Sequence, residues 1–80
     1  MIFVSYSDEL FCFFDNVRAL RRKYHLTPED MVSRMDIEPE EVQLLENNIL
    51  PETLQVSFLE NLSHEFHIPI ANLFRPLDLQ

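Results

Sequence analysis

Eighty residues, 46% of them hydrophobic and 25% charged, with seven phenylalanines and a formal net charge of -8, are enough for one small packed domain. They exclude wholesale disorder and leave little room for a deep catalytic cleft. One cysteine rules out an intramolecular disulfide, and with neither a basic-then-apolar leader pattern nor an apolar run of membrane-spanning length, the expectation is a cytoplasmic protein without membrane contact.

The opening block MIFVSY is too apolar for a free tail and is expected as an edge strand or packed arm that contributes to self-association, a homodimer in the simplest case. It forms most of an extension over residues 1–7, followed by a single domain over 8–76 and a tail over 77–80. Ser7 or Asp8 can cap a first helix to about Tyr24, whose Leu10, Phe13, Phe14, Val17, Leu20 and Tyr24 recur at helical spacing as a core face. Thr27 caps a second helix over about 28–35, where Pro28 occupies a position that needs no amide donor and Glu29 with Asp30 complements the dipole. The same grammar repeats in helix three, with Glu38 at the cap, Pro39 just inside, and Glu40 and Glu41 in the first turn. Val42 and Leu45 face inward, Leu44 outward, and the helix ends near Asn47. Pro51 and Glu52 are expected to open a fourth helix with Leu54, Phe58, Leu59, Leu62 and Phe66 on its apolar side. Ile68 to Phe74 is a short fifth turn or helix, and Pro76 ends regular structure.

No glycine occurs in the chain, although helix C-termini favour a left-handed residue that glycine adopts with least strain. At the four junctions the sequence places His25, Asp36, Asn48 and His67, types that tolerate positive φ better than most.

Charge is distributed unevenly. Between Thr27 and Glu52 eight acids face one base, Arg34, for a local balance of -7, while four of the other five bases cluster as Arg18, Arg21, Arg22 and Lys23 in the first helix.

The run VRALRRKYHLTPEDMVSRMDIEPEEVQLLENN resembles the helix-turn-helix domain of the Cro and lambda-repressor family. Similar features are the Arg-rich segment Val17 to Arg22, the Leu26-Thr27 pair that opens helix two, the Glu46-Asn47 pair that closes helix three, and the Leu73-Phe74 ending. The likeness spans roughly residues 16 to 75 and implies an all-α, compact five-helix domain, to which the MIFVSY block adds a short apolar N-terminal extension. Most of these positions are framework, which reports fold more than activity. The loop after helix three is about three residues longer than is typical. Departures fall at the positions the resemblance marks as functional: Pro28 stands where the family carries a backbone-gripping Gln, and Glu38, Pro39, Glu40 and Glu41 stand where it carries polar readers. Leu44 replaces a base, and the loop Asn48-Ile49-Leu50-Pro51-Glu52 lacks one.

Protein–DNA affinity rests heavily on Lys and Arg neutralising phosphates, so an acidic docking face reverses the sign of that contribution. A single Glu can accept from a cytosine amino group, but three in four residues without flanking bases suit a basic or amphipathic protein surface better. First-turn acids also stabilise helices by roughly 0.3 to 1 kcal/mol each, which explains them singly but not the lack of bases around them. The sequence therefore favours a regulatory interaction protein, an antirepressor or partner subunit. Glu38, Glu40, Glu41, Leu44, Ile49 and Leu50 would meet the partner, and a repressor's DNA-binding face fits its chemistry. The alternative is a conventional sequence-specific DNA-binding regulator, with Arg18, Arg21, Arg22 and Lys23 on phosphates and Gln43 or Asn47 on bases.

Other constellations point away from catalysis. Cys12, within FCFF, reads as a core residue without a base beside it. His64 and His67 with Glu60 and Glu65 lack metal-site spacing, Asn61-Leu62-Ser63 is a chance sequon, and no nucleophile-base set or phosphate loop is present. Neither enzyme activity, cofactor nor metal is expected.

Overall fold

The structure, a computed structural model, describes residues 7–77. The extension MIFVSY and the end of the tail lie outside the described residues, and with them the expected strand or packed arm. Four α-helices follow in order, α1 (Asp8–Lys23), α2 (Pro28–Met35), α3 (Pro39–Glu46) and α4 (Val56–Phe66), then a 3-10 helix, Ile70–Phe74. With no strand among the described residues, the protein is all-α.

Ser7 accepts the Leu10 amide at the start of α1, Asp8 and Glu9 occupy its first turn, and Arg21, Arg22 and Lys23 its last, all favourable to the helix dipole. Its buried face carries Phe13, Phe14, Val17 and Leu20. Phe13 is the centre of the core: its ring stacks on Phe74 at 5.0 Å and meets the Phe58 ring edge-on at 6.4 Å. Around it close Leu26, Met31, Met35, Ile37, Val42, Leu45, Leu62, Phe66 and Leu73, all buried. Each such side chain contributes roughly 1.5 to 3 kcal/mol by leaving water. No helix is long and apolar enough to cross a membrane among the described residues.

The helix starts follow the expected chemistry. Thr27 and Asp30 form a reciprocal capping box at α2, the Asp30 amide donating to Thr27 Oγ1 at 3.1 Å and the Thr27 amide to Asp30 Oδ2 at 2.9 Å. At α3 the Glu38 amide donates to Glu41 Oε1 at 3.1 Å. All four helix ends turn without glycine: His25, Asp36, Asn48 and His67 adopt φ between 54° and 60°. Their short or planar polar side chains make the left-handed region tolerable where a branched apolar residue would not.

Helix four departs from expectation. It begins at Val56, not at Pro51-Glu52, because residues 51–54 form a turn closed by the Leu54 amide on the Pro51 carbonyl at 3.2 Å, and Gln55 is extended. Within that turn Thr53 reaches back to α3 and Leu54 packs against the core, uses that a helical path would forgo. The fifth element is 3-10 in character. Two asparagines tie the ends together: Asn61 of α4 donates to the Met35 carbonyl, an orphan at the end of α2, at 2.9 Å, and buried Asn16 of α1 donates to the carbonyls of Leu73 and Arg75, each at 2.7 Å. Cys12, expected in the core, is only half-buried, beside a cleft of about 420 Å³ between α1 and the segment Pro76-Leu77. It sits one position away from Phe13 on α1 and so rotates off the buried stripe.

Asn16→Ala should lower stability by about 1 to 3 kcal/mol in urea melts by stranding two carbonyls, and Asn16→Asp should cost more, because a carboxylate in that place has no donor to offer them. At Asp30, the Thr27 amide first and the Thr27 hydroxyl second hold the carboxyl below its ordinary value near 3.8. Its stabilising effect is thus complete above that value and fades as pH falls through the lower, folded one. The stability gap between wild type and Asp30→Ala should be present at neutral pH and close well below pH 3.8, as read from urea midpoints.

Candidate protein-interaction face

Helix α3 buries Val42 and Leu45 against the core and turns Glu38, Pro39, Glu40, Gln43 and Asn47 to solvent. This is the helical spacing expected for an outward face. Glu41 is the exception. Expected on the acidic face, it is 8% exposed, and its carboxylate accepts the Glu38 amide and, at 2.9 Å, the Thr53 hydroxyl. A carboxylate taken from water needs such partners, and with both it serves the start of α3 and the following loop and not a second molecule.

The apolar members are also sorted by packing. Leu44, expected outward, is half-buried over a cleft of about 280 Å³ lined by Glu38, Pro39, Glu40, Glu41 and Thr53, because the long loop folds back beside it. Leu50 is half-buried and packs on the core, leaving Ile49, 44% exposed, as the loop's open apolar side chain.

The basic cluster on α1 divides in two. Arg18 donates to Asn48 Oδ1 and to the Glu46 carbonyl (3.4 Å) and pairs with Asp15; Arg21 pairs with the Glu46 carboxylate and lies 3.4 Å from the Leu26 carbonyl. Helix α3 has no base in its own last turn, so Arg18 from α1 closes its Glu46 carbonyl, and the two guanidinium groups together offset the negative end of its dipole. Arg22 and Lys23 stay exposed, with the Lys23 ammonium 5.8 Å from the Tyr24 ring centre. Arg34 is paired with Glu65 at 3.2 Å. Of the base-contacting candidates, Asn47 donates to the Gln43 carbonyl at 2.8 Å, within its own helix, while the Gln43 side chain borders a cleft.

That cleft, about 260 Å³, lies between the first turns of α2 and α3 and is lined by Pro28, Glu29, Val32, Pro39 and Gln43. Sequence reasoning missed it, although its signal was present: Pro28 with Val32, and Pro39 with Gln43, are spaced four apart and share faces on adjacent helices. Among the described residues no group of three or more His, Cys, Asp or Glu side chains could hold a metal ion.

Comparison with known proteins identifies no relative: the chain matches no protein-family model, no curated protein and no solved structure at a significant level.

The two acids of α3's first turn should separate cleanly in urea melts. Glu41→Ala should cost about 1 to 3 kcal/mol, by orphaning the Glu38 amide and the Thr53 hydroxyl, whereas Glu40→Ala should stay within about 1 kcal/mol.

Proposed function

We propose that the protein is a small regulator built on the plan of the Cro and lambda-repressor helix-turn-helix domain. In place of DNA, its outward face of α2 and α3 takes a protein partner with a basic or amphipathic surface. The DNA-binding face of a repressor has that chemistry, which makes antirepression the natural activity. One observation carries the reading: Arg18 and Arg21, half of the only basic cluster, are held by the C-terminal end of α3, while Glu29, Glu38 and Glu40 stand exposed at the starts of the two helices. Phosphates approaching this face would meet carboxylates, and of the basic cluster only Arg22 and Lys23 remain exposed to supply the release of counterions that drives DNA binding.

The test is Glu29→Lys, Glu38→Lys and Glu40→Lys combined. These positions are exposed, so the fold should survive with a loss of about 1 to 2 kcal/mol, mostly from helix-dipole contacts. In fluorescence anisotropy at low salt the wild type should not bind mixed-sequence duplex DNA. The triple variant should, with a log-log salt slope of roughly -3, one unit for each new phosphate contact. Basal duplex binding by the wild type would overturn the reading in favour of a conventional DNA-binding regulator.

A further inference from the structure

We propose that the cleft between the first turns of α2 and α3 is the anchor point of that face and receives an apolar side chain from a lysine- or arginine-rich segment of the partner. The proposal rests on the protein-partner reading above and adds where the partner is gripped and by what chemistry.

Helix N-termini ordinarily attract anions, because several amides there lack partners and the dipole is positive. Both helices that border this cleft have lost that property. Pro28 and Pro39 at the first helical positions carry no amide donor. In α2 the Asp30 amide is taken by Thr27 Oγ1 and the Thr27 amide by Asp30 Oδ2; in α3 the Glu41 amide goes to the Glu38 carbonyl and the Glu38 amide to Glu41 Oε1. The position left in each first turn belongs to Glu29 and Glu40, residues that bring their own negative charge. An anion is therefore repelled at both helix starts.

What the cleft offers is the opposite. The residues Pro28, Pro39 and Val32 make an apolar lining, exposed Glu29 is part of the wall, Glu40 adjoins Pro39, and Gln43 adds one polar group. Apolar anchors inside a charged rim are the usual anatomy of a specific protein contact, and a negative rim selects a cationic segment. The volume of about 260 Å³ suits a single leucine-sized side chain and its surroundings, not a cofactor. Ile49, on the loop after α3, is not among the residues that line this cleft.

The probe is a fluorescein-labelled lysine-rich peptide with leucines at helical spacing, compared with the same peptide carrying serine at each leucine and with duplex DNA, at moderate salt. The leucine peptide should bind at least tenfold more tightly than the serine peptide and shift the amide resonances of Glu29, Val32 and Gln43. Gln43→Trp, which fills the cleft from an exposed position, should weaken the leucine peptide tenfold or more while Val56→Ala, at an exposed apolar position on α4, leaves it unchanged, both variants having wild-type circular dichroism. Equal binding of the two peptides, or sensitivity to Val56→Ala with indifference to Gln43→Trp, overturns the cleft as anchor and leaves the protein-partner reading standing. Binding of duplex DNA with no binding of either peptide overturns both. Binding of none of the three overturns the cleft proposal.

Discussion

The contact between the two arginines of α1 and the C-terminal end of α3 sets the orientation on which the candidate face depends. Helix α3 is only eight residues long, too short to hold itself in water, and its last turn has no base of its own. From a neighbouring element Arg18 donates to the Glu46 carbonyl and the Asn48 side chain, and Arg21 pairs with the Glu46 carboxylate. The same contact decides what the surface can do. These guanidinium groups are taken up inside the molecule, and their partly buried setting makes them harder to release than exposed charges.

At the other end of α3 the acids play two different parts that composition alone does not distinguish. Glu41 belongs to the architecture, linking the start of the helix to Thr53 in the loop that leads to α4. Glu38 and Glu40 remain in water and give the surface its sign. Because Asp30 and Thr27 close the start of α2 in the same manner, the starts of the two helices are apolar and negative, and the cleft between them is lined by Pro28, Val32 and Pro39 with Glu29 beside them. The functional reading therefore stands on donors that are occupied or absent as much as on acids that are present.

The lack of glycine has a structural counterpart in the four left-handed helix ends at His25, Asp36, Asn48 and His67. Three of them are followed at once by a residue that packs on the core, Leu26, Ile37 and Ile68, and Asn48 is followed two residues on by Leu50, which packs there; Leu26 and Ile37 are buried. Burial of the next apolar residue offsets the modest cost of a non-glycine residue in that region, and it pins the direction of each following segment. Asn16 and Asn61 do similar work from within helices, closing carbonyls that belong to distant segments.

By itself the sequence determined what depends on neighbours within about four residues: α1, α2 and α3 and their caps, the positive-φ positions, and the inward stripe of Val42 and Leu45, since helical spacing and capping are short-range effects. Tertiary structure decided the rest. Whether Glu41 faced solvent depended on Thr53, twelve residues on; whether Arg18 was free depended on Asn48, thirty residues away; and Asn16 found its acceptors at Leu73 and Arg75 across nearly the whole chain. The start of α4 moved to Val56 because Pro51-Glu52, a good helix opening taken locally, was worth more as a turn that returned Thr53 and Leu54 to the core. The cleft between α2 and α3 exists only once the two helices pack, because half of its lining comes from each. Spacing along the chain names the residues on a face, but the partner of each polar group is chosen by which faces meet, and that is fixed only by the packing of the core.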